Sequence, residues 1–208
     1  MTSSLPGAGA PREGLTVFAR APRLGKVKTR LSPPLTPEQA LVLHRALVED
    51  TLERLALVSR PGLEHRLYLS EPLEDPRDLQ PGPRWKVGLQ APGNLGARLE
   101  VVFREAFGAG LERMVVLGSD SPTVPLERVH GAFEELRAHD AALGPARDGG
   151  YYLLGCSRFL PELFRDISWG NPQVLEETIG ALSRAGRRFK LLEEWYDRGN
   201  VHRQRHAA

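Results

Sequence analysis

Residues 114–122 read Met-Val-Val-Leu-Gly-Ser-Asp-Ser-Pro, a short uncharged apolar run that opens into a turn carrying the carboxylate of Asp120. An aliphatic stretch of this kind is typical of a strand buried on both faces of a parallel sheet. In open α/β sheets, ligands bind outside the carboxyl ends of the strands, which is where Asp120 would lie. A carboxylate there can hold a divalent cation against nucleotide phosphates. It can equally cap the helix that is predicted to start near Pro125.

Strands and helices are predicted to alternate along the rest of the chain. Apolar runs indicate strands at residues 15–19, 66–70, 85–89, 114–117, 151–154 and 189–192, and 3.6-residue spacing indicates helices from residues 37, 95, 126 and 171. Thr36 and Gln39 form a capping box at the start of the first helix. This alternation predicts an α/β fold, a single-domain three-layer αβα sandwich with a mostly parallel sheet.

A basic segment follows the first predicted strand. Within eleven residues it carries Arg20, Arg23, Lys26, Lys28 and Arg30 around Gly25. Cations clustered around a glycine after a strand suit the binding of polyanionic phosphate, although a solvated basic loop is the alternative. The spacing of a P-loop, Gly-x-x-x-x-Gly-Lys-Ser/Thr, is absent from the sequence.

A third segment, residues 143–155, reads Leu-Gly-Pro-Ala-Arg-Asp-Gly-Gly-Tyr-Tyr-Leu-Leu-Gly. Asp148 precedes the pair Gly149 and Gly150, which runs into an aromatic and aliphatic strand. Asp-Gly is a strong turn signal, so one interpretation is a hairpin connection. The other is a ligand site, because paired glycines let a ligand approach the backbone closely.

These segments, in this order, resemble the bacterial "transferase 1, radical SAM/selenodomain-associated" family, formerly a domain of unknown function. That family is similar to GT-A nucleotide-diphospho-sugar transferases and, more distantly, to the guanylyltransferase of coenzyme F420 synthesis and the molybdenum-cofactor nucleotidyltransferases. The matching stretches are residues 18–31, 90–98, 118–122, 144–155 and 169–178. Together they span most of residues 15–197.

Two positions depart from the family pattern. Asn94 stands where the family usually has Asp, and residues 195–200 read Trp-Tyr-Asp-Arg-Gly-Asn where the family usually reads Trp-Tyr-Asp-Val-Asp-Thr. One carboxylate of that late pair is therefore missing. If the pair binds a metal ion, this chain must use Asp197 alone or bind the metal more weakly.

The resemblance implies a role for each matching residue. Asp120, helped by Asp197, would hold Mg²⁺ or Mn²⁺ between phosphate oxygens. The residues implied for the nucleotide and its phosphates are Arg20, Gly25, Lys26, Lys28, Arg30, Gln90, Gly96 and Arg98, of which Gln90 and the turn at residues 93–98 would contact base and ribose. Gly149, Gly150, Tyr151 and Trp169 would bind the acceptor, beside Asp148 as a catalytic residue.

Three functions stay open from the sequence. Family resemblance favours a metal-dependent glycosyltransferase that moves a sugar from a nucleotide-sugar to a small-molecule acceptor, with Asp148 as general base. The alternative is a nucleotidyltransferase that joins an NTP to a phosphorylated small molecule, which the basic segment favours because a departing pyrophosphate needs cations. A nucleotide-binding protein without catalysis is the third, since the late carboxylate pair is incomplete.

Composition narrows the class of protein further. The 208 residues suit one domain at residues 14–200, with 1–13 predicted as a flexible N-terminal tail and 201–208 as a C-terminal tail. A net charge of +2 gives no electrostatic case for nucleic acid or membrane as partner. One cysteine, no apolar stretch of transmembrane length and no signal-peptide core predict a cytoplasmic protein. The sequence makes no prediction of oligomeric state.

The histidines and the cysteine do not indicate other chemistry. The six histidines, His44 among them, are scattered without the spacing of a zinc site, apart from His202 and His206 in the polar C-terminal tail. There is no Gly-x-Ser-x-Gly elbow, and Cys156 follows a predicted strand without an obvious histidine partner. Covalent acyl transfer is therefore not expected.

Overall fold

A seven-stranded sheet organises the protein in the computed structural model, which describes residues 12–120 and 122–195. The strands are β1 Glu13–Ala19, β2 Leu63–Leu69, β3 Trp85–Leu89, β4 Arg113–Gly118, β5 Ala141–Pro145, β6 Tyr151–Cys156 and β7 Phe189–Leu191, and their order is β3-β2-β1-β4-β6-β5-β7. The helices are α1 Pro37–Leu55, α2 Leu95–Gly108, α3 Leu126–Glu135 and α4 Val174–Arg184. Single 3₁₀ turns occur at Thr29–Leu31, Pro76–Asp78 and Pro161–Leu163.

The sheet is mostly parallel, as predicted. Parallel pairs join β1 to β2, β1 to β4, β2 to β3 and β5 to β7, whereas β6 runs antiparallel to both of its neighbours, β4 and β5. The carboxyl ends of β1 to β4 therefore meet at one edge, where β6 begins beside the end of β4.

Two cores lie on opposite faces of the sheet and confirm the three-layer architecture. One contains Val48 of α1 and Phe133 of α3. The other contains Phe103 of α2 and Leu182 of α4. Alternate residues of a strand point to opposite faces, so in β1 the side chain of Val17 joins the first core and that of Phe18 the second.

The start of α1 is confirmed in atomic detail. Thr36 Oγ1 accepts a hydrogen bond from the Gln39 backbone N–H, and Gln39 Oε1 accepts one from the Thr36 N–H, at 3.3 and 2.9 Å. Both contacts are local, so the sequence pattern determines them. The apolar spacing of this helix predicts a buried face of Leu41, Val48, Leu52 and Leu55, but Leu41 is only half-buried whereas Ala40 and His44 are buried.

Other element predictions need correction. The strand β5 was not predicted, but the hairpin interpretation of the Asp-Gly turn is confirmed, because β5 and β6 form an antiparallel pair joined by residues 146–150. The last helix begins at Val174 and not at residue 171, since the Asn171 side chain accepts a hydrogen bond from the Gln173 N–H in a turn before it. The 3.6-residue spacing of α2 predicts Leu95 on its apolar face, but Leu95 is 46% exposed and does not join the core.

The first strand begins two residues earlier than predicted, at Glu13, which had been assigned to the tail. Its carboxylate is buried and pairs with the guanidinium groups of Arg60 and Arg113, with N–O distances of 2.5 and 3.0 Å. Residues 1–11 and 201–208 of the predicted tails lie outside the described residues. Within the described part of the chain, no helix combines the length and apolar character needed to cross a bilayer.

Candidate functional site

A cavity of about 580 Å³ lies at the carboxyl edge of the sheet, within the volume range of about 300–1,000 Å³ typical of ligand pockets. Its walls come from the loop after β1, the segment between β3 and α2, the turn after β4, and His44 of α1. We call it the basic cavity, because its lining includes Arg20, Lys26, Lys28, Arg30 and Arg98. All five were predicted to bind the nucleotide or its phosphates.

Asp120 is the one carboxylate among the described residues that line the basic cavity. It follows the end of β4, where the apolar run Met-Val-Val-Leu forms a buried strand as predicted. The alternative that Asp120 caps α3 is wrong, because the N-cap of α3 is Pro125 and no side chain caps that helix. The Asp120 carboxylate thus lies in a cavity whose other charged lining residues are all cationic.

Lys28 pairs with that carboxylate. Its Nζ lies 2.7 Å from Oδ1 of Asp120, with only 8% of the Lys28 side chain exposed against 44% for Asp120. The Lys28 backbone has φ 48°, a left-handed conformation uncommon for a residue with a side chain. Such outliers cluster at functional sites, where the surrounding structure holds them in place. Gly25, also predicted as a phosphate contact, has φ 68° and shapes the loop, but it does not line the cavity.

His44 supports the loop after β1, a role that the sequence analysis missed. Its side chain is buried on α1, and Nε2 lies 3.0 Å from the Arg20 carbonyl oxygen. A carbonyl only accepts, so Nε2 carries the hydrogen. Burial lowers the pKa of His44, and the hydrogen bond to Arg20 opposes that shift only in part, so the imidazole is neutral at pH 7. The available signal was the spacing of Ala40, His44 and Val48, which places all three on the buried face of one helix.

Gln90 and Arg98 lie together in the basic cavity. The Gln90 side-chain amide donates to the carbonyl oxygens of Ala19 and Tyr68, at 3.1 and 2.9 Å. Its Oε1 accepts from Nη1 of Arg98 at 3.2 Å. Both N–H donors of the Gln90 amide are therefore already used, which leaves neither for the predicted contact with base and ribose.

Asn94 and Gly96 have structural roles at the start of α2. Asn94 is the N-cap, and its Oδ1 accepts from the Ala97 N–H at 2.9 Å. Asn and Asp cap helices about equally well, so the departure from the family pattern does not weaken the helix. A Cβ at Gly96 would lie 2.1 Å from Nε1 of Trp169, so packing explains this glycine. Gly96 is not among the residues that line the basic cavity.

The predicted acceptor residues form a packed unit next to the basic cavity and not part of its lining. Asp148 Oδ1 accepts from the Gly150 N–H at 3.1 Å within the hairpin turn. Gly149 has φ 86°, and a Cβ there would lie 2.0 Å from the Pro172 carbonyl oxygen, so the close approach is made by the protein backbone. Tyr151 packs edge-to-face on Trp169 with ring centroids 6.1 Å apart.

Of the two predicted metal ligands, only Asp120 lies within the described residues. They contain no group of three or more His, Cys, Asp or Glu side chains that could hold a metal ion, and Asp197 lies outside them. Mg²⁺ commonly binds through one or two carboxylates, substrate phosphates and water, so a single carboxylate, Asp120, in a cavity lined by cations fits this ion. Cys156 offers no alternative chemistry, because it is fully buried and burial raises the pKa of its thiol.

Comparison with known proteins identifies a family and similar solved structures. The family model described as "Uncharacterized protein conserved in bacteria (DUF2064)" matches residues 46–171. A crystal structure from Desulfovibrio desulfuricans G20, described as a "putative nucleotide-diphospho-sugar transferase", is 33% identical over 90% of this chain and 82% of that chain, with a TM-score of 0.81. No curated protein matches the chain.

More distant structures share the fold alone. CMP:2-keto-3-deoxy-manno-octonic acid synthetase complexed with CTP is 16% identical over 89% of this chain and 90% of that chain, with a TM-score of 0.53. A cytidylyltransferase from Leptospira borgpetersenii is 14% identical over 90% of this chain and 78% of that chain, with a TM-score of 0.56. The predicted nucleotide-diphospho-sugar transferase-like fold is confirmed. The links to radical SAM proteins and to coenzyme F420 synthesis stay predictions.

Proposed function

We propose that this chain, which belongs to the family described as "Uncharacterized protein conserved in bacteria (DUF2064)", is a nucleotide-dependent transferase. The basic cavity would take the phosphates of a nucleoside triphosphate, and the reaction would be nucleotidyl transfer to a phosphorylated small molecule. The observation that carries the proposal is that five cationic residues and Asp120 line one cavity at the carboxyl edge of the sheet.

In nucleotidyl transfer, negative charge develops on phosphate oxygens, which the cations of the basic cavity would stabilise. An oxygen of the acceptor's phosphate attacks the α-phosphorus of the NTP, and the bond from that phosphorus to the bridging oxygen of the β-phosphate breaks. The electron pair leaves with pyrophosphate. Fixed cations stabilise the charge that develops on the departing oxygens, because they need no reorganisation during the reaction.

The acceptor's chemistry also favours nucleotidyl transfer. A phosphate acceptor is already ionised and needs no general base. The carboxylate of the basic cavity, Asp120, is already engaged by the ammonium group of Lys28. Asp148 is held in the hairpin turn by the Gly150 N–H and does not line the basic cavity.

Each residue has a role in this proposal. Lys26, Lys28 and Arg30 bind the triphosphate from the loop after β1, and Arg98 binds it from the start of α2. His44, neutral and hydrogen-bonded to the Arg20 carbonyl, holds that loop in place. Asp120 would hold Mg²⁺ or Mn²⁺, which supplies a Lewis acid for the phosphate oxygens.

Glycosyl transfer from a nucleotide-sugar is the second candidate. The description of the 33% identical relative as a nucleotide-diphospho-sugar transferase favours it, as does the family resemblance of the sequence. It needs a base for the acceptor hydroxyl, and Asp148 at the neighbouring hairpin is the candidate. We place it second, although the sequence favoured it, because the cations of the basic cavity suit a departing pyrophosphate and Asp148 does not line that cavity.

One pair of assays separates the candidates. The protein is incubated with each NTP, a panel of sugar 1-phosphates and Mg²⁺, and pyrophosphate release is measured; in parallel, nucleoside-diphosphate sugars are assayed for release of free sugar. Pyrophosphate release that depends on a phosphorylated acceptor is the expected result. Sugar release without pyrophosphate formation would instead support glycosyl transfer, and silence in both assays with tight nucleotide binding would support a non-catalytic protein.

A further inference from the structure

Arg98 is held in the basic cavity by a hydrogen bond to Gln90 that the sequence did not indicate. We propose that Gln90 is a positioning residue, which orients the guanidinium group of Arg98 toward a ligand phosphate. The inference rests on the proposed function, because it assigns a task to one wall of the same cavity. It replaces the predicted contact of Gln90 with base and ribose.

Gln90 is held rigidly at the end of the sheet. Its backbone N–H donates to the Leu69 carbonyl oxygen at 2.9 Å, so the residue continues the hydrogen bonding of β3 to β2. Its side-chain Nε2 donates to the carbonyl oxygens of Ala19, at the end of β1, and Tyr68, in β2. A flipped amide would place Oε1 against these two carbonyl oxygens, so only one orientation is compatible with the contacts.

That orientation leaves Oε1 as a fixed acceptor for Arg98. Nη1 of Arg98 donates to Gln90 Oε1 at 3.2 Å, and Nε donates to the Gly93 carbonyl oxygen at 2.8 Å. Two anchors on different nitrogens define the plane of the guanidinium group. Its other three N–H donors make no hydrogen bond to the described part of the protein, and Arg98 lines the basic cavity.

The hydrogen bonds of this pair explain why position 90 is glutamine and position 98 is arginine. Glutamate at position 90 could accept from Arg98 but could not donate to the Ala19 and Tyr68 carbonyl oxygens, and leucine could do neither. Lysine at position 98 would keep the charge but lacks the planar fork that makes two parallel hydrogen bonds to a phosphate. The implied ligand group is therefore a phosphate of the nucleotide.

A double-mutant cycle tests this role with inorganic pyrophosphate as the probe and calorimetry as the measurement. Arg98→Ala should weaken pyrophosphate binding about tenfold to hundredfold, the range of one charge-assisted contact. Gln90→Leu should weaken it by a similar factor, and the double variant should bind no more weakly than Arg98→Ala alone. Arg104→Ala, which removes a charge from the exposed side of α2 where Arg104 pairs with Glu100, should leave the affinity unchanged.

Losses that multiply in the double variant would overturn the positioning role, because Gln90 would then act independently of Arg98. Should Gln90→Leu fail to fold, Arg98→Lys takes its place. The lysine keeps the charge but cannot use both anchors, so its affinity should fall nearly as far as that of Arg98→Ala, and unchanged affinity would overturn the proposal. If the wild-type protein binds neither pyrophosphate nor any NTP, the proposed function itself fails, and this role fails with it.

Discussion

The ammonium group of Lys28 lies 2.7 Å from Oδ1 of Asp120, between two residues that are 92 positions apart in the sequence. The pair joins the loop after β1 to the turn after β4, which are two of the walls of the basic cavity. A metal ion at Asp120 and a phosphate at Lys28 would each replace one half of this ion pair. We therefore expect metal and nucleotide to strengthen each other's binding.

Asp120→Asn should abolish the dependence of nucleotide affinity on Mn²⁺ while the fold survives. Asparagine keeps the size and the turn propensity but removes the charge that a hard cation requires. Calorimetric titration of NTP with and without Mn²⁺ measures the effect, and Asp50→Asn on an exposed part of α1 is the matched control. Mn²⁺-dependent affinity equal to that of the wild type would refute the assignment of Asp120 as a metal ligand.

Replacing Lys26 and Lys28 by alanine should weaken triphosphate binding far more than binding of the free nucleoside. Each lost charge-assisted contact is worth about 1.5–3 kcal/mol, or roughly ten- to hundredfold in affinity. The chain's other two lysines, Lys86 and Lys190, lie on different parts of the surface, and their double alanine variant is the control. Equal losses for nucleoside and triphosphate would mean that the loop supports the fold and does not bind phosphate.

Gly149→Ala should destabilise the protein by about 2 kcal/mol or more, because it combines a left-handed backbone with a clash in a packed region. The new Cβ would lie 2.0 Å from the Pro172 carbonyl oxygen at φ 86°. Gly131→Ala in α3, where a Cβ meets nothing within 4 Å, should be neutral or stabilising. Denaturant unfolding compares the two, and similar free energies of unfolding for both variants would contradict the packing of the hairpin on residues 171–175.

Lowering the pH should reduce the free energy of unfolding over a pH range in which that free energy depends on His44. Burial lowers the folded-state pKa of His44 and of His65 below the ordinary value of 6.5. The unfolded state then binds protons more readily, so stability is present above about pH 6.5 and is lost as the pH falls toward the folded-state values. Thermal unfolding should show this loss between pH 7 and 5.

This pH range lies above the range in which the carboxylate of Glu64 affects stability. The Arg12 ion pair lowers the pKa of Glu64 to about 2, so its contribution is lost only as the pH falls from about 4.5 toward 2. His44→Gln should make the midpoint of unfolding less dependent on pH between 7 and 5. An unchanged pH dependence in both His44→Gln and His65→Gln would contradict the buried, neutral histidines.

The parts of the fold that local patterns encode could be predicted from the sequence. The uncharged run before Asp120 predicted β4, and Thr36 with Gln39 predicted the start of α1, because strand burial and helix capping depend on neighbouring residues. The strand β5 could not be predicted, since five residues rich in alanine, glycine and proline carry little strand signal.

The candidate site could be predicted as a set of residues but not as a set of contacts. The basic segment and Asp120 were both recognised, whereas their ion pair depends on the parallel pairing of β1 with β4. The role of Gln90 depends on carbonyl oxygens at positions 19 and 68, at the ends of two other strands. These contacts join residues that are distant in the sequence, so no local sequence pattern predicts them.

The most direct measurement is a crystal structure of the protein with a non-hydrolysable NTP analogue and Mn²⁺, in which anomalous scattering locates the metal. We predict that the triphosphate lies in the basic cavity between Lys28 and Arg98, with the anomalous peak beside the Asp120 carboxylate. A nucleotide bound at the opposite edge of the sheet, where Arg113, Arg158 and Asp140 line a second cavity, would contradict the account. So would a metal peak remote from Asp120.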